Sequence, residues 1–205
     1  MGGFLTLAGV AGVSQSDVER ELRATADDRG GRFAPDREDL SFPDGVVITP
    51  GTRSRLSILL PVSLEHSEPL VKRLSKQLKA PVFLFHIHDG DFWMYWLFAS
   101  GRQVDHFTPI PDYWGESESE ENLQECAGNA RTIAANWPDL KPQEVERYLV
   151  SWDLEAEEAG RAYPDDRYPY GDCQQLSDFM RRLGLKFPLD DKGNPVGDKY
   201  WFEVT

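Results

Sequence analysis

The sequence is poor in cysteine, in positive charge and in long apolar runs, and each shortage removes a class of protein. Two cysteines, Cys126 and Cys173, occur in 205 residues. Neither belongs to a CxxC or zinc-type spacing, which excludes a disulfide framework and suits a cytoplasmic location. Lys and Arg number 22 against 35 Asp and Glu, a formal net charge of −13. Phosphate backbones and anionic lipid surfaces repel such a chain, so neither nucleic acid nor membrane is expected as a partner. No stretch reaches the ~18 consecutive apolar residues of a spanning helix. The apolar run from Phe4 to Val13 has no Lys or Arg before it, unlike a secretory leader. P-loop, GxGxxG, GxSxG and HExxH patterns are missing, and the DDKGN segment at 190–194 has its glycine misplaced for an EF-hand loop. Motifs therefore assign no catalytic residue, no metal and no cofactor.

What is present reads as a soluble folded protein, with 40% hydrophobic and 28% charged residues. After an opening strand, Ser16 and Glu19 have capping-box spacing for a helix over 17–28, with Val18, Leu22 and Ala26 as its inward stripe. A polar loop carries Pro35 and Pro43. Short β-branched runs at 45–49 and 55–60 flank Pro50-Gly51 and predict a hairpin. Leu70, Val71, Leu74 and Leu78 mark a second helix, ended by Pro81 before a strand over 82–88. This βαββαβ order is that of a ferredoxin-like or split βαβ sheet, extended by two antiparallel strands over 91–99 and 102–108. An α+β fold follows, with residues 1–110 as the sheet region and 111–205 as an acidic helical region packed on it in one structural unit. In the second region Ser117 and Glu120 suggest a cap for a helix carrying Leu123, Cys126, Ala130 and Ile133. Pro142 suits the start of another, Asp172 and Gln175 suit a last one, and a final strand is expected near Tyr200.

The segment PVFLFHIHDGDFWMYWLF, residues 81–98, carries the chemistry. Asp89-Gly90 is the favoured two-residue hairpin turn, and that register sets His88 opposite Asp91 and His86 opposite Trp93. Alternation then puts Phe83, Phe85, Ile87, Phe92, Met94, Trp96 and Phe98 on the core side. Leu84, His86, His88, Asp91, Trp93, Tyr95 and Leu97 take the other side. A second two-residue turn at Ser100-Gly101 adds His106 opposite Tyr95. Imidazoles that titrate near neutrality beside a carboxylate suit acid and base work or metal ligation, and the same face equally suits plain packing beneath helices. A lone His-x-His pair falls short of a zinc set. Asp165-Asp166 in DDRYPYGD is expected in a solvated loop.

The stretches FHIHDGDFWMYWLF, GRQVDHFTPIPDYWG and AYPDDRYPYGD resemble a family of uncharacterised bacterial proteins, over residues 46–185. The resemblance implies a bacterial cytosolic origin and brings Tyr113 and Trp114 towards the hairpin, but carries no activity. Between Asp112 and Asp178 seventeen acidic residues face five basic ones, a net −12. Charge so concentrated favours rapid, selective association with a basic partner. The expected function is a non-enzymatic binding protein, of inhibitor or immunity type, engaging a basic protein through its acidic C-terminal half. The alternative is a small-molecule or metal pocket on the histidine face, lined by His86, His88, Asp91, Trp93, Tyr95, His106, Tyr113 and Trp114, with an enzyme as one form of it.

Overall fold

The structure, a computed structural model, describes residues 3–35, 45–61, 67–113, 126–153 and 160–203. Among them eight strands form one sheet: β1 (Leu5–Ala11), β2 (Arg32–Pro35), β3 (Gly45–Pro50), β4 (Arg55–Leu59), β5 (Val82–His88), β6 (Phe92–Ala99), β7 (Arg102–Phe107) and β8 (Asp198–Glu203). Their order across the sheet is β2-β8-β3-β4-β1-β5-β6-β7, and every neighbouring pair is antiparallel. The fold is thus α+β, with helices α1 (Gln15–Asp28), α2 (Ser67–Leu78), α3 (Ala130–Asn136) and α4 (Gln175–Arg182).

Both sheet faces are apolar, and so both are covered. On one, Val18, Leu22 and Ala26 of α1 and Leu70, Val71 and Leu74 of α2 bury against Ala8, Val10, Ile48, Ile58, Val82 and Leu84. Each such Val, Leu or Ile side chain adds ~1.5 to 3 kcal/mol on burial, which outweighs any propensity along the strands. The other face presents Leu7, Phe83, Phe85, Trp93 and Tyr95 to Ile133 and Trp137 of α3, to Val145 and Tyr148, and to Phe179 and Met180 of α4. Gly9 admits this second layer: a Cβ there would stand 2.5 Å from Leu185 Cδ1 and 3.1 Å from the Phe85 ring.

Several local expectations are corrected. The α1 cap is Ser14, not Ser16. Its hydroxyl accepts from Asp17 N while the Asp17 carboxylate accepts from Ser14 N, so aspartate fills the position expected of Glu19. The loop before Pro43 contains β2, an edge strand that ends on Pro35 and stacks Phe33 on Tyr200, ring centroids 4.9 Å apart. The helix expected to run through Cys126 begins only at Ala130. There Asn129 accepts from Arg131 N and Thr132 N, while Ala127 bridges Phe107 of the sheet. After Pro142 two short 3₁₀ turns replace the expected helix. Val145 and Tyr148, three residues apart, are both fully buried, the spacing at which side chains eclipse on one side of a 3₁₀ turn. Ser117, Glu120 and Leu123 lie outside the described residues.

Candidate functional site

The β5–β6 hairpin forms, one residue out of the expected frame. His88 pairs with Phe92, Ile87 with Trp93, His86 with Met94 and Phe85 with Tyr95. Asp89 and Gly90 both take left-handed φ, +49° and +77°, and Asp91 N donates to His88 O at 2.9 Å. The tight turn therefore exists, but Asp91 stays in the loop instead of pairing. Because strand faces alternate, this one added residue sends every β6 side chain to the opposite side from that expected. Trp93, Tyr95 and Leu97 join Phe83 and Phe85 under the C-terminal layer, fully buried. Phe92, Met94, Trp96 and Phe98 share the side of His86 and His88.

A second irregularity keeps His106 with the other two imidazoles. Ser100 and Gly101 do make a two-residue turn between Ala99 and Arg102, both with left-handed φ. The register then slips by one between Leu97 and Phe98, which leaves Val104 as the extra residue and sets His106 opposite Trp96 rather than Tyr95. The His106 and Trp96 rings stack at 4.9 Å and 11°. Its Nε2 is buried with no hydrogen-bond partner among the described residues, and burial lowers its pKa to about 4.

The expected site residues thus fall into two groups on opposite faces. On the helix side, at the margin where β1 begins and β5 ends, His86 and His88 stand 5.8 Å apart between ring centroids. Thr6 Oγ1 lies 3.1 Å from His86 Nδ1, and Phe4 meets His88 edge-on at 5.0 Å. Tyr113 packs on His88 at 5.5 Å and on Phe92 at 4.7 Å, and its hydroxyl donates to Asp91 Oδ2 at 2.7 Å. Burial, and then the neighbouring His88, hold the His86 pKa below its ordinary value. Phe4 and Tyr113 remain 50% and 37% exposed, and Asp89, Asp91 and Asp112 rim the cluster in solvent. Phe4 had no signal in the sequence beyond its place in an apolar run. Trp114 lies outside the described residues.

Trp93 and Tyr95 have structural partners instead. Trp93 Nε1 donates to Gln175 Oε1 at 3.3 Å and Tyr95 OH to Asp105 Oδ2 at 2.7 Å, an oxygen that also accepts from Asn129 N. Burial pushes the Tyr95 hydroxyl well above its ordinary pKa and raises that of Asp105. Asp166 is also buried, where a solvated loop was expected. It accepts from Tyr148 OH at 2.6 Å, from Tyr163 N at 3.1 Å, and from Arg181 and Arg182 at 2.9 Å each. Asp165, exposed, is held at about 2 by the same two guanidiniums. Asp178 accepts from the backbone of Arg167 and Tyr168. This network pins the AYPDDRYPYGD loop on α4, so its carboxylates are occupied.

Among the described residues no group of three or more His, Cys, Asp or Glu side chains is placed to hold a metal ion, and no helix is long and apolar enough to cross a membrane. Comparison with models of protein families, with curated proteins and with solved structures gives no match.

Proposed function

We propose that the protein is a non-enzymatic binding protein whose contact surface is the patch formed by Phe4, His86, His88 and Tyr113 over the buried Phe92, and that it takes a basic segment of another protein. The observation that carries this reading is the exposure of two large aromatic side chains, Phe4 and Tyr113, on either side of one imidazole. Exposed aromatics ordered by mutual packing are the usual energetic centre of a protein contact. They also offer ring faces to Arg or Lys. Asp89, Asp91 and Asp112 at the rim favour a cation, and five glutamates between residues 116 and 125 follow Tyr113 in the sequence. Charge of one sign around an aromatic centre speeds encounter and excludes acidic competitors.

Acid and base catalysis on this patch has less support. His86 is held by a hydroxyl, Thr6, rather than by a carboxylate that would orient and charge it. An inhibitor or immunity-type role toward a basic protein in a bacterial cytoplasm is the form this reading takes. The family suggested by the hairpin and the PDYW loop, and a split βαβ core built from the inner order β5-β1-β4-β3, belong to the same proposal. Panning of displayed random peptides at about 50 mM and about 500 mM salt tests it, since exposed charge attraction is screened over that range. Enrichment of Arg- or Lys-rich peptides, lost at high salt and in Phe4→Ala or Tyr113→Ala, supports the proposal. Peptides without basic bias, or equal capture by both variants, defeat it.

A further inference from the structure

At the same end of the sheet, on the opposite face, lies a cleft of about 400 Å³. Four separate segments build it: Leu5 of β1, Arg167 and Tyr168 of the pinned loop, Gln174 and Ser177 at the start of α4, and the turn from Phe187 to Gly193. Its size is within the ~300 to 1,000 Å³ of ordinary small-molecule sites. Its walls are fixed independently of any ligand. Asp178 Oδ2 accepts from Arg167 N at 2.8 Å and from Tyr168 N at 3.0 Å. On the other wall the Asp190 carboxylate accepts from Lys192 N and Asn194 N, both at 2.8 Å, and Leu189 bridges Pro195. A preformed cleft spares a ligand most of the ordering cost.

The lining has an apolar part, Leu5, Phe187 and Leu189, and three charged residues, Arg167, Asp190 and Asp191, of which Arg167 and Asp191 pair across the cleft. Arg167 Nη2 and Asp191 Oδ1 stand 3.3 Å apart, with side chains 63% and 88% exposed. So exposed a pair contributes little to stability, and a ligand can replace it at small cost. The Asp190 carboxylate is already committed to its own turn. A ligand carboxylate alone would meet Arg167 but be repelled by Asp190 and Asp191, and an amine alone would pair with Asp191 but leave Arg167 without its partner. A zwitterion satisfies both.

We propose that this cleft binds a free α-amino acid with an apolar side chain. Its carboxylate pairs with Arg167, its ammonium with Asp191, and its side chain lies on Leu5, Phe187 and Leu189. The site is separate from the aromatic patch and does not depend on that reading.

The test is titration of the full chain with L-leucine and L-phenylalanine, followed by thermal shift and calorimetry. 4-Methylpentanoate, isoamylamine and glycine serve as controls lacking the amine, the carboxylate and the apolar group. Binding of leucine or phenylalanine roughly ten-fold or more tighter than every control, and weakened to a similar degree in Arg167→Gln and Asp191→Asn, is the expected result. Both substitutions leave the structural bond from Arg167 N to Asp178 in place, so unchanged unfolding in the absence of ligand separates loss of binding from loss of fold. No binding of either amino acid, binding as tight by a control, or binding indifferent to Arg167→Gln overturns the proposal.

Discussion

His106 couples the sheet to pH. Burial lowers its pKa from 6.5 to about 4, and its ring stacks on Trp96. A base whose folded pKa lies below its unfolded value leaves the unfolded chain holding more protons between the two, so stability falls as pH drops through that window. The His106 contribution is thus complete above about pH 6.5 and lost progressively towards about pH 4. Allowing for solvent at the partly exposed ring, the loss amounts to roughly 1 to 3 kcal/mol. His106→Phe keeps a stacking ring that takes no proton. Urea unfolding across this range should show a shallower acid slope for the variant, and an unchanged slope would refute the assignment. At Gly128, φ is +69° and a Cβ would stand 2.8 Å from Tyr95 Oη. Gly128→Ala should therefore cost about 1 to 3 kcal/mol in the same assay, through both backbone strain and overpacking.

Elements hold through buried polar groups that their sequences conceal. Asp166 is enclosed by Tyr148, Arg181 and Arg182, whereas its neighbour Asp165 binds the same guanidiniums from solvent. Asp166→Ala should destabilise the protein by about 1 to 3 kcal/mol because the Tyr148 hydroxyl and Tyr163 N lose their buried acceptor. Asp165→Ala should cost clearly less, since its ion pairs lie in solvent. Comparable unfolding midpoints for the two variants would show that burial does not separate them. DDRYPYGD reveals none of this, since the arginines that claim its carboxylates belong to α4. The strands and the stripes of α1 and α2 were legible because periodicities of two and 3.6 survive in the local sequence. The hairpin face was not. Whether Asp91 pairs with His88 or stays in the loop depends on which set of rings packs against Phe179 and Trp137, residues far along the chain. Two single-residue shifts, at Asp91 and at Val104, explain why three histidines share a face as expected while Trp93 and Tyr95 leave it.

On the scale of the molecule, β8 closes the sheet. It lies between β2 and β3, pairs with both, and carries Tyr200 and Phe202 into the helix-side core. Removing residues 198–205 should leave the edge of β3 open and β2 without a partner, with aggregation read by light scattering as the outcome. A monomeric, cooperatively folding truncation would contradict that role. Charge acts at the same scale. Part of the acidity of the C-terminal half is neutralised internally by Arg181 and Arg182, while Asp89, Asp91 and Asp112 stay in solvent beside the aromatic patch. On the proposed reading, the patch is where a basic partner is drawn and held, with the acidic C-terminal half adding long-range attraction. Imidazole resonances test this most directly. On addition of an Arg-rich peptide recovered by panning, the ring signals of His86 and His88 should move in proportion to occupancy while that of His106 stays in place. A bound peptide that leaves His86 and His88 unmoved would contradict the account.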